Sequence, residues 1–218
     1  PGAGKNDITA RYTWNFNLVF VVPYAGDGLN RIFEVIMKWF LSRFGSGVAG
    51  QTKALVAATL CVYDTVCLEL LPTPAKSHYI FNLRDLGKVF QGITLCKKES
   101  LPGPDDLVKC WFHEVQRVFQ DRLINKEDQD WFYTTLCELV DKHFKKKMSG
   151  ICKVNPIIFG DFVDPKKVFY QEILDHEAMI ARVKDLLGDF NQMSKHQMTL
   201  VLFLSFVQHV ARIIRVCQ

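Results

Sequence analysis

Apolar positions recur at helical spacing through most of this chain. Leu29, Ile32, Phe33, Ile36, Phe40 and Phe44 make the first stripe, with Asp27 placed to cap it and Gly45-Ser46-Gly47 to stop it. Leu55, Thr59, Val62, Tyr63, Val66 and Leu70 make the second. Pro72-Thr73-Pro74 ends it, because proline cannot continue the hydrogen-bond ladder. A shorter stripe carries Leu83, Leu86, Val89 and Phe90. Pro104, Asp105 and Asp106 then suit the first turn of a longer helix with Leu107, Trp111, Val115, Val118 and Phe119 on its buried side. Asn125 with Asp128 opens another, followed by Phe132, Leu136, Leu139, Val140 and Phe144. The spacing predicts a helical bundle from residue 27 to about 147.

The stretches on either side depart from that period. Asn17 to Val22 is a continuous apolar run rich in Val and Phe and closed by Pro23, which predicts one buried strand. Met148 to Val168 is interrupted by Gly150, Pro156, Gly160 and Pro165 and reads as a linker and domain boundary. Two closing helices follow, near 175–191 and 197–217, the second with Ser194-Lys195-His196-Gln197 as its capping box.

Composition narrows the class. With 218 residues, 49% apolar and 23% charged, the chain can bury a substantial core and is far from a disordered composition. A net charge of +4 with no basic run longer than Lys145-Lys146-Lys147 argues against nucleic acid, and that triplet suits the end of a helix. The longest apolar stretch, Met198 to Val207, is too short to cross a bilayer, and no basic-then-apolar leader opens the sequence. Seven scattered cysteines without a CxxC pair suggest free thiols in a reducing, intracellular compartment.

Candidate chemistry is sparse. Gly2-Ala3-Gly4-Lys5 imitates the end of a phosphate-binding loop, but Lys5 is followed by Asn6 rather than the Ser or Thr that holds magnesium. No upstream strand and no acidic strand end accompany it. His113-Glu114 lacks the second histidine of an HExxH zinc helix, and no metal site is expected. His113, Arg117, Asp121 and Arg122 fall on one polar face, read as solvated or ion-paired surface. His176 and His209 read as surface or groove histidines.

Five collinear stretches carry a family resemblance: GAGKNDITARYTWNFN, LPTPAKSHYIFNLRDLGKVFQGI (Leu71 to Ile93), WFHEVQRVFQDRL (Trp111 to Leu123), FGDF with YQEI, and MTLVLFLSFVQHVARIIRVCQ. Together they resemble dynein heavy chains, axonemal more than cytoplasmic, from the back of the third AAA+ module to the lead-in of the fourth. The resemblance implies a mainly α fold, a helical AAA+ lid bundle with a remnant of the large α/β subdomain at the N-terminus. Residues 1–26 would be the edge of that subdomain, 27–150 the lid, and 151–218 the linker and lead-in helices of the next module. Lys5 stands where the family's Gly-Gly-Gly-Arg-Asn loop has arginine.

Function follows as further expectation. The chain would be part of a microtubule motor ring, coupling ATP binding to movement, in the cytoskeleton of a cilium or flagellum. ATP or ADP with magnesium would serve the parent protein. The isolated chain is expected to hold no nucleotide and to be inactive alone, both flanking P-loops lying outside it. Arg84 matches the family's sensor-two arginine, whose planar fork suits phosphate oxygens. Arg11 and Trp14 are candidates for inter-module contact, Trp14 standing where the family often has arginine. Expected partners are the neighbouring AAA+ modules and, through the parent, the microtubule and other dynein subunits, with no membrane or nucleic acid. The competing reading is a free-standing helical scaffold that binds a partner through the Arg117/Arg122 face or the last helix.

Overall fold

A computed structural model describes residues 8–22, 24, 26–152, 154–164 and 169–217. The Gly2-to-Lys5 motif, Pro23 and Pro165 lie outside them. In chain order the elements are α1 (Ala10–Thr13), α2 (Gly26–Leu41), α3 (Ser46–Ala49), α4 (Thr52–Glu69), α5 (Leu83–Thr94), α6 (Pro104–Phe119), α7 (Lys126–Phe144), α8 (Met148–Ile151), β1 (Phe159–Gly160), β2 (Gln171–Glu172), α9 (His176–Met193) and α10 (Leu204–Cys217). The expected mainly helical bundle is what forms.

The helices of the bundle share one core. Leu55, Val62 and Val66 of α4, Leu86, Val89 and Ile93 of α5, Leu107, Trp111 and Val115 of α6, and Phe132, Leu136 and Val140 of α7 are all buried in it. Trp111, fully buried, donates its Nε1–H to Thr59 Oγ1 at 2.8 Å, so the indole keeps a partner inside the apolar layer. On α2 the buried stripe is rotated from the expected one. Met37, Phe40, Leu41 and Phe44 face the core, whereas Ile32 and Ile36 are exposed. Asp27 sits within the first turn of α2 rather than capping it.

The segment from Lys76 to Asp85 owes its form to polar ties. Lys76 and the Tyr79 hydroxyl both donate to Asp128, at 2.5 and 2.8 Å, pinning this loop to the start of α7. Asn82 caps α5 by accepting from the Arg84 and Asp85 N–H groups, and Asp85 returns the bond from the Asn82 N–H, closing a capping box. Lys145, in the left-handed region at φ 54°, ends α7, and Lys146 pairs with Asp105.

Three expectations change. Residues 17–22 form no strand: the segment has no ladder partner among the described residues, and Val19 and Phe20 are 84% and 86% exposed. A strand is stabilised by pairing, and an apolar run cannot supply that alone. The stretch read as a linker is largely buried from Ile157 to Phe159, and β1 pairs antiparallel with β2, Phe159 opposite Glu172. The final helix begins at Leu204, not 197. Asn191 takes both the N–H and the C=O of Met198, at 2.8 and 2.9 Å, holding that chain extended, while Ser194 bonds locally to His196 and caps nothing.

Extended backbone at 157–159 joins two cores. Successive side chains of a strand point to opposite faces. Ile157 and Phe159 therefore enter the core of the helical bundle, and Ile158 enters a second cluster with Ile173, Met179, Val207 and Ala211.

Replacing Thr59 with Val should leave the buried Trp111 N–H without an acceptor and cost about 1–3 kcal/mol in urea unfolding. Thr65→Val, which loses only a bond to its own helix at Cys61, should cost much less.

Candidate functional site

Helix α6 presents a second face that is polar, buried at Lys109, His113 and Glu114 and more open at Arg117 and Asp121. Lys109, His113, Arg117 and Asp121 recur every fourth residue from α6 into the 3-10 turn Gln120–Arg122, with Glu114 beside them. Lys109 Nζ reaches Glu172 Oε2 at 2.5 Å and Asp106 at 3.0 Å. Burial opposes its charge, but the bonds to Glu172 and Asp106 outweigh that and raise its pKa.

Glu114 is the centre of this face. Its carboxylate has no solvent exposure. Oε1 accepts from the Tyr170 hydroxyl at 2.5 Å, and Oε2 accepts from Arg215 Nε and Nη2 at 3.0 and 2.8 Å. Arg215 Nη2 also donates to the Lys88 carbonyl of α5 at 3.4 Å. Burial works against the arginine's charge, yet the Glu114 bonds and charge prevail and raise its pKa; burial together with Glu114 pushes the Tyr170 phenol up. The close approach of α5 depends on Gly92, where an added Cβ would stand 1.8 Å from Glu114 Oε2.

His113 Nδ1 lies 3.0 Å from the Ile157 carbonyl, which can only accept, so Nδ1 carries the proton. Burial, reinforced by the Arg117 charge, holds the imidazole well below its ordinary pKa of 6.5 although Glu114 Oε1 is 3.9 Å from Nε2. The ring is neutral, its Nε2 is buried without a hydrogen-bond partner among the described residues, and His113 lines a cavity of about 20 Å3 with Arg117, Gln208 and Arg212. Asp121 lies between Arg117 and Arg212, at 3.3 and 3.6 Å, and burial raises its carboxyl above the ordinary value despite both guanidiniums. A groove of about 800 Å3 runs from this pair along α7 and residues 147–157.

The face expected to be a solvated or ion-paired surface is ion-paired, and it forms a seam between α6 and the chain beyond 156. Arg122 leaves it: α6 ends at Phe119, and Arg122 turns to Asp85, Nη2 to Oδ1 at 2.8 Å, and to the Ile80 carbonyl. Burial opposes the Asp85 charge, but Arg122 and the Asn82 N–H outweigh it and depress its pKa. Arg117 and Arg122 thus pair with different carboxylates, Asp121 and Asp85. Arg84 is exposed at the start of α5, and its guanidinium has no hydrogen bond or ion pair among the described residues. It does not line the large groove. Arg11 and Trp14 are exposed in and just after α1, Trp14 at 87%. The described residues contain no cluster of metal-ligating side chains, all seven cysteines are free, and no helix is long and apolar enough to cross a membrane.

Residues 55–151 match the AAA+ lid domain family. The chain is 38% identical over 220 residues to human dynein axonemal heavy chain 6, 36% over 234 to human dynein axonemal heavy chain 3, and 36% over 229 to mouse dynein axonemal heavy chain 1. Each alignment covers 99% of this chain but only 5–6% of the relative.

Two measurements test the seam. Removing Arg215 strands a buried carboxylate, so Arg215→Ala should cost about 3–5 kcal/mol, with Glu114→Gln in the same chain recovering part of it. His113 predicts the pH response. Above its unfolded pKa of 6.5 both states are neutral and stability is full. Below it the unfolded chain gains a proton the folded chain refuses, so stability falls from pH 7 to 5, by at most about 1.4 kcal/mol per pH unit. His143, also depressed by burial, adds the same sign; Asp121, raised from 3.8, opposes it nearer pH 4. His113→Gln should flatten the urea midpoint over pH 7 to 5.

Proposed function

With the chain an axonemal-type dynein heavy-chain segment that carries an AAA+ lid domain, we propose that it serves as the lid and inter-module connector of the motor ring, passing the nucleotide state of one module to the next. Residues 27–150 act as the lid of the third module, 1–26 as the edge of its large subdomain, and 151–218 as the lead-in to the fourth. The observation that carries this reading is the seam on α6. Lys109–Glu172, His113–Ile157 and Glu114 with Tyr170 and Arg215 tie one lid helix to three separate parts of the connector. Elements fastened at three points move together, so a rotation of the lid becomes a displacement of whatever follows.

In that role Arg84 supplies the phosphate contact. It stands exposed at the first turn of a capped helix, charged and uncommitted, and its planar fork can pair two phosphate oxygens. ATP or ADP with magnesium would be held by the large subdomain of the parent, with the lid closing over it. Arg11 and Trp14 face outward as contacts for the neighbouring module. The parent would work on microtubules in an axoneme, as the names of the relatives suggest.

Arg84→Ala in an intact parent heavy chain tests the reading. Loss of one charge-assisted phosphate contact should weaken nucleotide binding at this module by about 1.5–3 kcal/mol, roughly ten- to a hundredfold, with the lid still folded. Arg84→Lys should recover only part, because it keeps the charge and loses the fork. Equal nucleotide affinity in wild type and Arg84→Ala would remove Arg84 from the mechanism.

A further inference from the structure

We infer that α5 is the strut that carries a displacement from the Arg84 end of the lid to α10, and that bare backbone at Gly92 is where α5 bears on the Arg215–Glu114 pair. The inference rests on the reading of Arg84 as the nucleotide-facing end and names the route by which that end is coupled to the connector.

Helix α5 is built to move as one piece. Its first turn is locked by the Asn82–Asp85 box, Arg122 grips Asp85 from the 3-10 turn after α6, and Leu86, Val89, Phe90 and Ile93 bury its length. At 12 residues it is about 18 Å long, and Gly92 lies roughly 12 Å along it from Arg84. Its other half meets the connector twice. Arg215 Nη2 donates to the Lys88 carbonyl as well as to Glu114, and Cys96, just past the helix end, forms a parallel bridge with Tyr170, whose hydroxyl holds the other oxygen of Glu114.

Gly92 makes these contacts stiff. A Cβ there would stand 1.8 Å from Glu114 Oε2 and 2.6 Å from Arg215 Nη2, so no side chain separates the α5 backbone from the ion pair. Side chains absorb small shifts by changing rotamer, whereas a backbone in van der Waals contact passes them on. A shift of α5 by a fraction of an ångström must therefore alter the Arg215–Glu114 geometry, and α10 follows Arg215. Gly87, on the same helix, has nothing within 4 Å of its would-be Cβ and serves as the internal control.

The test compares Gly92→Ala with Gly87→Ala in the 218-residue chain by hydrogen exchange. Both add one methyl to α5 and gain the same helix propensity. Gly92→Ala should speed exchange in α10 by about tenfold while α4 and α7 stay near wild type, and Gly87→Ala should leave α10 unchanged. Arg215→Lys adds nothing to the core, keeps the charge and loses the prong that reaches Lys88; it should speed α10 in the same direction by a smaller factor. Equal exchange in α10 for both glycine variants, a uniform rise across all helices in Gly92→Ala, or no change in Arg215→Lys would each overturn the strut. None of these readouts involves nucleotide, so they stand or fall apart from the Arg84 affinity measurement.

Discussion

A carboxylate that water cannot reach has to be answered by a cation, and in this chain Glu114 is answered by a residue 101 positions away, Arg215. That obligation organises the molecule. It fixes where α10 crosses α6, requires a glycine on α5, and turns the Tyr170 hydroxyl inward. Buried pairs of this kind add little net stability against apolar replacements, but one partner alone is intolerable, so the pair specifies one arrangement. A segment held by apolar contact alone could slide; one held by a buried ion pair must dock in a single place or not at all.

The two cores reinforce that specificity. Ile157 and Phe159 on one side of the chain and Ile158 on the other stitch the two clusters together through three consecutive residues. His113 closes the same stretch from α6 by binding the Ile157 carbonyl, and it can do so only as a neutral ring. Polar and apolar contacts thus fall on the same few residues, with a small cavity and a wider groove beside them.

The lid helices were legible in the sequence because their apolar period is helical and their ends carry proline, glycine and acidic residues. The face on α6 was legible only in part: His113, Arg117 and Asp121 were read together, but Lys109 and Glu114 were not, and Arg122 was counted in although it turns to Asp85. Charged residues spaced by four read as solvated or ion-paired surface, and nothing local to residues 109–121 says that Glu172, Arg212 and Arg215 will pair with them. Tyr170 and Arg215 sat inside stretches that resemble dynein heavy chains, yet only their distances to Glu114 give them a part. The 17–22 run was misread for the converse reason, since its composition is that of a strand but pairing depends on a partner. On α2 a stripe defined by Ile32 and Ile36 gave way to one defined by Met37 and Leu41, because neighbouring helices decide which edge of a broad apolar surface is covered.

The fourfold spacing on α6 carries a consequence for how such a chain can change over generations. Lys109, His113, Arg117 and Asp121 work only while they stay in step with the helix, and each residue inserted or removed turns everything beyond it by about 100°. A single-residue length change within α6 would swing the downstream members away from their partners together, whereas the same change in the Leu95–Gly103 loop would leave the helix phase untouched. Point substitutions can erode this seam gradually; changes of length within α6 can only break it.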